Sequence, residues 1–267
     1  MSLYQSQISL PELSVEQTAQ FTRYYELLAD WSLRMNLTTI TGYGPVWRRH
    51  FLDSVIPARY LDIMSCAVGA DTSAPRLLDV GTGAGFPGIP LKICFPGLEV
   101  TLLDSLQKRV SFLNAVIEEL GLDGIRAIHG RAEDLAAPAG RAGTYTGGMR
   151  EAYDIVVSRA VAGLSTLAEY ALPFVKVGGC FIAYKSAEIE SELLDAKGAI
   201  FLLGGKLRQV ETYELPASAT GWPDMSEAED GSADEHVGRS LIIIEKREPT
   251  SHKYPRRAGL PSKKPLK

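Results

Sequence analysis

From residue 14 onward apolar side chains fall at helical spacing, with Phe21, Tyr24, Tyr25, Leu28, Trp31 and Met35 recurring three or four positions apart or as neighbours on one face. Ser14 followed three residues later by Gln17 has the form of a capping box, in which a hydroxyl and an amide each satisfy an orphan N–H at a helix start. The pattern predicts a helix over 14–35. A second amphipathic helix is predicted from Pro45 to about Leu61, because a proline in the first turn gives up an N–H that has no partner there. Residues 64–75, MSCAVGADTSAP, are small and turn-forming and read as a linker closing an N-terminal helical subdomain over 1–63.

Beyond residue 75 the periodicity changes. RLLDVG (76–81), LEVTLLD (98–104), IRAIHG (125–130), YDIVVSRA (153–160) and GCFIAYK (179–185) are short β-rich runs separated by helical stretches such as SLQKRVSFLNAVIEELGL. This alternation predicts parallel strands, right-handed crossovers and helices on both faces of a sheet. KLRQVETYEL (206–215) and RSLIIIEK (239–246) follow with only an acidic loop between them, so they are expected to pair antiparallel at one edge. The stretch 136–152 is expected to be a flexible surface loop. Five parallel strands and a hairpin resemble the seven-stranded, mostly parallel α/β sheet of Rossmann-like class I S-adenosylmethionine-dependent methyltransferases, here with an N-terminal helical extension. That resemblance implies a methyltransferase domain over 76–247 and leaves 248–267 as a basic C-terminal tail.

Composition narrows the setting. The chain has 267 residues, 45% of them hydrophobic, enough for one full core. No apolar run approaches the ~20 residues of a membrane helix, and the start MSLYQSQISLPELS is too polar for a signal peptide, so no membrane association and a cytoplasmic location are expected. Cys66, Cys94 and Cys180 form no CxxC pair; neither a disulfide framework nor a metal site is encoded, and burial as small apolar residues is expected. The net charge of −4 speaks mildly against a nucleic-acid partner, yet it is unevenly placed. Lys246 to Lys267 hold eight Lys or Arg against Glu248 alone, so a tail of +7 leaves −11 for the rest, and Asp224 to Glu235 hold six acids and no base. A block of like charge is ordinarily solvated; the sharper reading is a phosphate-binding tail.

Candidate chemistry starts at LLDVGTGAGFPGIPLKI, residues 77–93, where Gly81, Gly83, Gly85 and Gly88 fall within eight positions. A strand ending at Val80 must turn sharply into a helix whose first N–H groups lack partners, and glycine lets backbone approach a ligand closely. Read from Gly83 the stretch satisfies GxGxxG, a nucleotide cradle, although a turn that packs a helix on a strand would look the same. Asp79 extends it to DxGxGxG, the methyltransferase form, in which the acid helps hold the cationic methionine part of S-adenosylmethionine. Asp104 closes the next strand, where a carboxylate can accept from both ribose hydroxyls, as it also would in an NAD enzyme. LPFVKVGGCFIAYK resembles the approach to strand five in these methyltransferases. In HGRAEDL, Ala132 and Glu133 stand where the adenine edge is read, with Glu133 and Asp134 also suited to capping the next helix.

The acceptor atom is declared at the exit of the fourth strand. Ser158, Arg159, Ala160 and Val161 are not the proline pair associated with exocyclic amines, and no cysteine follows proline as pyrimidine C5 chemistry requires. An acceptor that already carries a free lone pair, such as guanine N7, remains open and needs alignment, not a base. DVGTGAGFPGIPLKI, LLDSLQKRVSFL, GRAEDL and SRAVAGL, with NLTTI (36–40), RRHFLDSV (48–55) and KYPRRAGLPSKKPL (253–266), resemble the RsmG/GidB family of small-subunit 16S rRNA guanine-N7 methyltransferases over most of the chain. The segments 64–75, 136–152 and 217–238 lie outside that resemblance.

The resemblance implies methyl transfer from S-adenosylmethionine to N7 of a guanine in the 530 loop of 16S rRNA, with rRNA or the small ribosomal subunit as partner. It carries cofactor contacts onto Gly81, Phe86, Ala132, Glu133 and Arg159; Gly83, Gly85 and Asp104 join them on physical grounds, with Asp79 behind. Phe86 departs from the leucine frequent at its position and is expected to cover the cofactor with apolar surface. Arg159 stands where cofactor and acceptor meet and is the expected catalytic residue, able to hold the methionine carboxylate, a phosphate or the guanine O6 edge, against the alternative of a surface ion pair. Arg131, Arg48, Arg49 and His50 are expected phosphate contacts, Asn36 a cap or a base contact, and Asp53 and Ser54 supports of the second helix. Other classes stay open: a methyltransferase for another RNA, a small molecule or a protein, a noncatalytic rRNA-binding protein, and, weakest, an NAD dehydrogenase. Oligomeric state is not encoded, a monomer being favoured.

Overall fold

The computed structural model describes residues 10–68, 74–140, 148–225 and 238–267. Seven strands form one sheet in the order β3-β2-β1-β4-β5-β7-β6. They are β1 (Arg76–Val80), β2 (Glu99–Asp104), β3 (Ile125–His129), β4 (Tyr153–Arg159), β5 (Val175–Ser186), β6 (Gly205–Glu214) and β7 (Gly238–Lys246). The first five run parallel, while β7 pairs antiparallel with both β5 and β6, so the expected edge hairpin is present. β5 begins four residues before the expected start; its pairing with β4 slips between Tyr153 and Ile155, which lets Gly178 turn at φ +94 inside the strand.

The strand alternation sorts the core into two layers. Leu77, Val100, Ile155, Val157 and Ile182 face one layer, covered by α1 (Val15–Ser32), by residues 43–59 and by helices Gly88–Cys94 and Gln107–Glu119. Leu78, Leu103, Val156, Phe181 and Ala183 face the other, covered by helices Ala132–Leu135, Leu164–Ala171 and Glu190–Leu202. The capping box forms as expected, with Ser14 accepting from the Gln17 N–H and Gln17 accepting from Ser14. Gln17 also donates to the Ile93 carbonyl at 2.7 Å, pinning α1 to the helix behind the glycine loop. Phe21, Tyr24 and Trp47 are fully buried in the same layer as Ile89 and Phe112, so the N-terminal helices build part of the sheet's own core.

The second helix is shorter and less regular than expected. Residues 43–55 run on as one helix whose middle, Trp47–Leu52, adopts π-type hydrogen bonding, and a 3₁₀ turn covers Ile56–Arg59. A π turn advances the face of a helix by one residue and is frequent at functional sites; here it carries Arg49 and His50. The expected flexible loop over 136–152 is anchored at both described ends: Ala136 and Met149 are buried, and the Arg150 guanidinium donates to the Ala136 and Tyr254 carbonyls at 2.9 and 2.8 Å. Of its middle, 141–147 lies outside the described residues, as does 226–237 of the acidic loop. The basic tail keeps most of its charges in solvent, with Arg247, Lys253, Arg257, Lys263, Lys264 and Lys267 exposed, but its backbone is docked. It packs back on the second layer, with Pro261 and Thr250 buried and Lys246 fully so. Cys94 and Cys180 are buried as expected, whereas Cys66 is half-buried and lines one cleft together with Cys180 at the opposite end of the sheet from the glycine loop. Among the described residues no helix is long and apolar enough to cross a membrane, and no cluster of metal-ligating groups occurs.

Candidate active site

The C-terminal ends of β1, β2, β3 and β4 open onto two clefts that share Gly81. The larger, about 590 Å³, is lined by Gly81, Gly83, Phe86, Arg49, His50 and Arg159 together with Thr38, Tyr184 and Arg239. The smaller, about 280 Å³, is lined by Gly130, Arg131, Ala132 and Glu133 on one side and by Val161, Ala162 and Tyr170 on the other. Parallel strands leave such a crevice where neighbouring crossovers depart to opposite faces, here between β1 and β4.

Four glycines serve different ends. Gly83 sits at φ +62 and an added Cβ would meet nothing within 4 Å, so its backbone faces open cleft. Gly81, at φ +72, has Val161 where a Cβ would go, 2.6 Å from its Cγ2. A Cβ at Gly85 would stand 2.5 Å from the Tyr24 hydroxyl and the Ile89 Cδ1, and one at Gly88 would stand 2.4 Å from Leu102 Cδ2. Gly85 and Gly88 thus admit α1 and β2 to the loop, and neither lines a cleft, although a cofactor contact was expected at Gly85.

Asp79, expected behind the other cofactor contacts, lies fully buried under the loop and lines neither cleft; its Oδ2 accepts from the Thr82 hydroxyl at 2.7 Å and the Gly88 N–H at 2.9 Å, which fixes the turn. Burial raises its carboxyl to about 6, and Oδ1 has no partner. Asp104 stands between the clefts. Its Oδ1 accepts from the Leu106 N–H at 2.9 Å, and its Oδ2 from the Gly83 N–H at 3.0 Å and from Arg109 at 3.3 Å. The Arg109 contact is long and its side chain one-third exposed, so it contributes little and is open to competition from another hydrogen-bond donor.

Arg159 is half the centre of the larger cleft and not a surface pair. It follows Ile155 and Val157 on one face of β4, which aims it at the π turn. Its Nη1 donates to Asp53 Oδ2 at 3.1 Å and to the Arg49 carbonyl at 3.3 Å, and its Nη2 to His50 Nδ1 at 3.3 Å. Asp53, expected only to support a helix, also accepts from Tyr213 at 3.0 Å and lies 3.8 Å from Arg239. Phe86 is contacted both by the His50 ring, stacked at 4.5 Å and 16°, and by the Arg159 guanidinium, 5.0 Å from its centroid. Because a guanidinium only donates, His50 Nδ1 accepts, which assigns the proton to Nε2 and a donation to Thr38 Oγ1 at 2.8 Å. Burial and the neighbouring Arg159 charge push His50 down to about 3, so the ring is neutral near pH 7.

Three expected substrate contacts lie elsewhere. Asn36 is exposed on the turn after α1 and lines no cleft. Arg48 points inward and donates to the Leu215 carbonyl at 2.9 Å. Arg131 lines the smaller cleft, away from His50 and Arg49. Residues missed by the sequence reading are Thr38, Tyr184, Lys185 and Arg239. Tyr184 and Lys185 lie at the end of β5, and the rule that strand ends carry site residues signals them; Thr38 lies within the NLTTI motif, while Arg239 has no local signature. Glu133 does not cap its helix; its Oε1 accepts from the Gly259 N–H of the tail at 2.8 Å.

The family model described as rRNA small subunit methyltransferase G (GidB) matches residues 17–218. The chain belongs to that family. Two relatives named Ribosomal RNA small subunit methyltransferase G, from Brevibacillus brevis and Staphylococcus carnosus, are each 46% identical over 254 residues. These matches cover 95% of this chain and 93% and 92% of the relatives. Among solved structures, M. jannaschii TYW2 in complex with AdoMet aligns at 16% identity and a TM-score of 0.46, covering 66% of this chain and 71% of that one. The GidB match spans the glycine loop, Asp104, the Ala132–Glu133 turn and Arg159 together, so the C-terminal ends of β1 to β5 lie within the family's matched region, while Arg239 at the start of β7 lies beyond it. S-adenosylmethionine is the cofactor of this family's methyl transfer. The residues fit it: open backbone at Gly83, a displaceable cation over Asp104, and a nucleoside-sized cleft beside Ala132.

Proposed function

We propose that this protein transfers a methyl group from S-adenosylmethionine to N7 of a guanine in the 530 loop of 16S rRNA, acting in the cytoplasm on the small ribosomal subunit or its rRNA. The observation that carries the acceptor is the state of the larger cleft: among the described residues its one imidazole, His50, is neutral with both nitrogens engaged, and its one carboxylate, Asp53, is held by Arg159 and Tyr213. An acceptor with a free lone pair needs none. The lining also suits a polyanion, with Arg49, Arg109, Arg159, Lys185 and Arg239 against Asp53 as the single acid.

The cofactor, when bound, supplies an electrophilic methyl on a sulfonium. The chain's residues then bind and orient. Gly81 and Gly83 present backbone, Ala132 and Glu133 border the adenine end, and Asp104 takes the ribose hydroxyls once Arg109 moves aside. Arg159, clamped by Asp53, directs its remaining donors at the methionine carboxylate or the guanine O6 edge. Phe86 supplies an apolar wall that excludes water from the line of attack. An unpaired loop guanine fits this cleft better than a base within a duplex, since single-stranded bases can be splayed into a pocket. Labelled S-adenosylmethionine incubated with the protein and small-subunit rRNA or its particles should place the label on one guanine N7. Label on an amine, on a pyrimidine carbon or on no RNA refutes the assignment.

A further inference from the structure

The smaller cleft has a third wall that neither the glycine loop nor the strand ends supply. Gly259 and Ser262 of the tail line it, facing Glu133 and Ala132 across the opening. The Gly259 N–H donates to Glu133 Oε1 at 2.8 Å, and Ser262 and Tyr170 both line the cleft. The segment is fixed on the protein. Arg256 grips Glu169, which is fully buried, with its backbone N–H at 2.7 Å and with Nε and Nη2 at 2.9 and 2.6 Å. Arg150 holds the Tyr254 carbonyl, Thr166 donates to the Pro261 carbonyl at 3.3 Å, and Pro261 is buried. Gly259 at φ +79 turns the chain from this anchor into the short helix Leu260–Lys263. A segment held this tightly is a built wall, and Arg256 in it serves packing and not phosphate.

We propose that residues 256–263 form a strap that completes the adenosine end of the cofactor cleft, with Gly259 locking Glu133 and with Ser262 beside the purine. The inference rests on the reading that adenosine lies over Ala132 and Glu133. Cofactor and tail then stabilise one another: a nucleoside in the cleft holds the strap down, and a docked strap shields the nucleoside from water.

Ser262 is exposed and its side chain donates to the Gly259 carbonyl at 3.2 Å, so Ser262→Trp should fold with an unchanged melting temperature. Its indole would fill part of the cleft and raise the Kd for S-adenosylmethionine, measured by titration calorimetry, at least about tenfold. Val161→Trp does the same from the opposite wall and serves as the reference. In the unaltered protein, saturating S-adenosylmethionine should slow trypsin cleavage after Arg256, Arg257 and Lys263 several-fold. If Val161→Trp weakens binding while Ser262→Trp binds normally, or if the cofactor leaves tail cleavage unchanged, the strap is overturned and the cleft stands. If neither variant alters binding, adenosine lies elsewhere and the site reading itself fails.

Discussion

A single methyl group placed at two glycines of one loop separates ligand contact from packing. At Gly83 the backbone lies at φ +62 with open space around an added Cβ, so Gly83→Ala bears only the left-handed backbone penalty. That is about 1–2 kcal/mol, or a fall in Tm of about 2–8 °C for a chain of this size. At Gly85 the φ is +100, and the same methyl would stand 2.5 Å from both the Tyr24 hydroxyl and Ile89. Ile89 is fully buried and Tyr24 donates to the Ala84 carbonyl, so neither neighbour yields freely. Overpacking adds about 1–3 kcal/mol to the backbone penalty, for a total of about 2–5 kcal/mol. Cofactor affinity should run in the opposite order. The Gly83→Ala methyl projects into the cleft and should raise the Kd for S-adenosylmethionine at least about tenfold, equivalent to about 1.4 kcal/mol. Gly85→Ala, measured well below its own Tm, should bind within about threefold of the unaltered protein, or about 0.6 kcal/mol. Urea unfolding and calorimetric titration read the two quantities. Equal stability losses, or a normal Kd in Gly83→Ala, would refute the division of the loop into a ligand glycine and a packing glycine.

His50 and Arg159 give two further expectations. Because His50 is held at about 3 when folded against an ordinary 6.5, the unfolded chain binds the extra proton between those values; stability from this group is present above pH 6.5 and lost on acidification. Between pH 7 and pH 5 the loss is about 2 kcal/mol, and His50→Gln should be less acid-sensitive by that amount in urea unfolding, the opposite contribution of Asp79 cancelling because both proteins carry it. Arg159→Lys keeps a charge beside Asp53 but loses the planar fork and its place over Phe86. Single-turnover methylation should fall at least about a hundredfold, the worth of two charge-assisted hydrogen bonds at about 1.5–3 kcal/mol each, with near-normal stability; unimpaired transfer removes Arg159 from the chemistry.

What the sequence disclosed and withheld divides along chain distance. The strands were legible because their β-rich runs are continuous, and β1 and β2 are further marked by a glycine or an acid at their ends, at Val80–Gly81 and Leu103–Asp104. The capping box at Ser14 and Gln17 was legible for the same reason. Phe86, Arg159, Ala132 and Glu133 were placed by motif and do reach the clefts. The misplaced residues depend on partners that no local pattern encodes. Gly85 looks like a ligand glycine until the Tyr24 hydroxyl, 61 positions earlier in the chain, is seen filling its side-chain space. Arg48 looks like a phosphate contact until the π turn swings it towards the Leu215 carbonyl, leaving Arg49 and His50 to face the cleft. Charge alone gave no sign that the tail is docked; the buried carboxylate of Glu169, which docks it, lies on a helix that otherwise reads as an ordinary crossover.

The clamp on Arg159 explains how a cationic cleft can select a methyl acceptor without a base. A guanidinium has five N–H donors. Two on Nη1 go to the Arg49 carbonyl and Asp53, and one on Nη2 goes to His50, so Nε and one Nη2 proton are left to a ligand. Asp53, 3% exposed at its side chain, holds the group in one orientation, and the neutral imidazole lets the cation approach without like-charge repulsion. Were His50 protonated, two cations would crowd against Phe86, and Nδ1 would have no lone pair to receive the guanidinium. The low basicity of His50 is therefore a condition for Arg159 to stand where it does. A fixed fork of two donors against an aromatic wall recognises a planar acceptor edge by geometry. It adds nothing to the acceptor's nucleophilicity, and an atom that already holds its lone pair in the ring plane requires nothing more than such alignment.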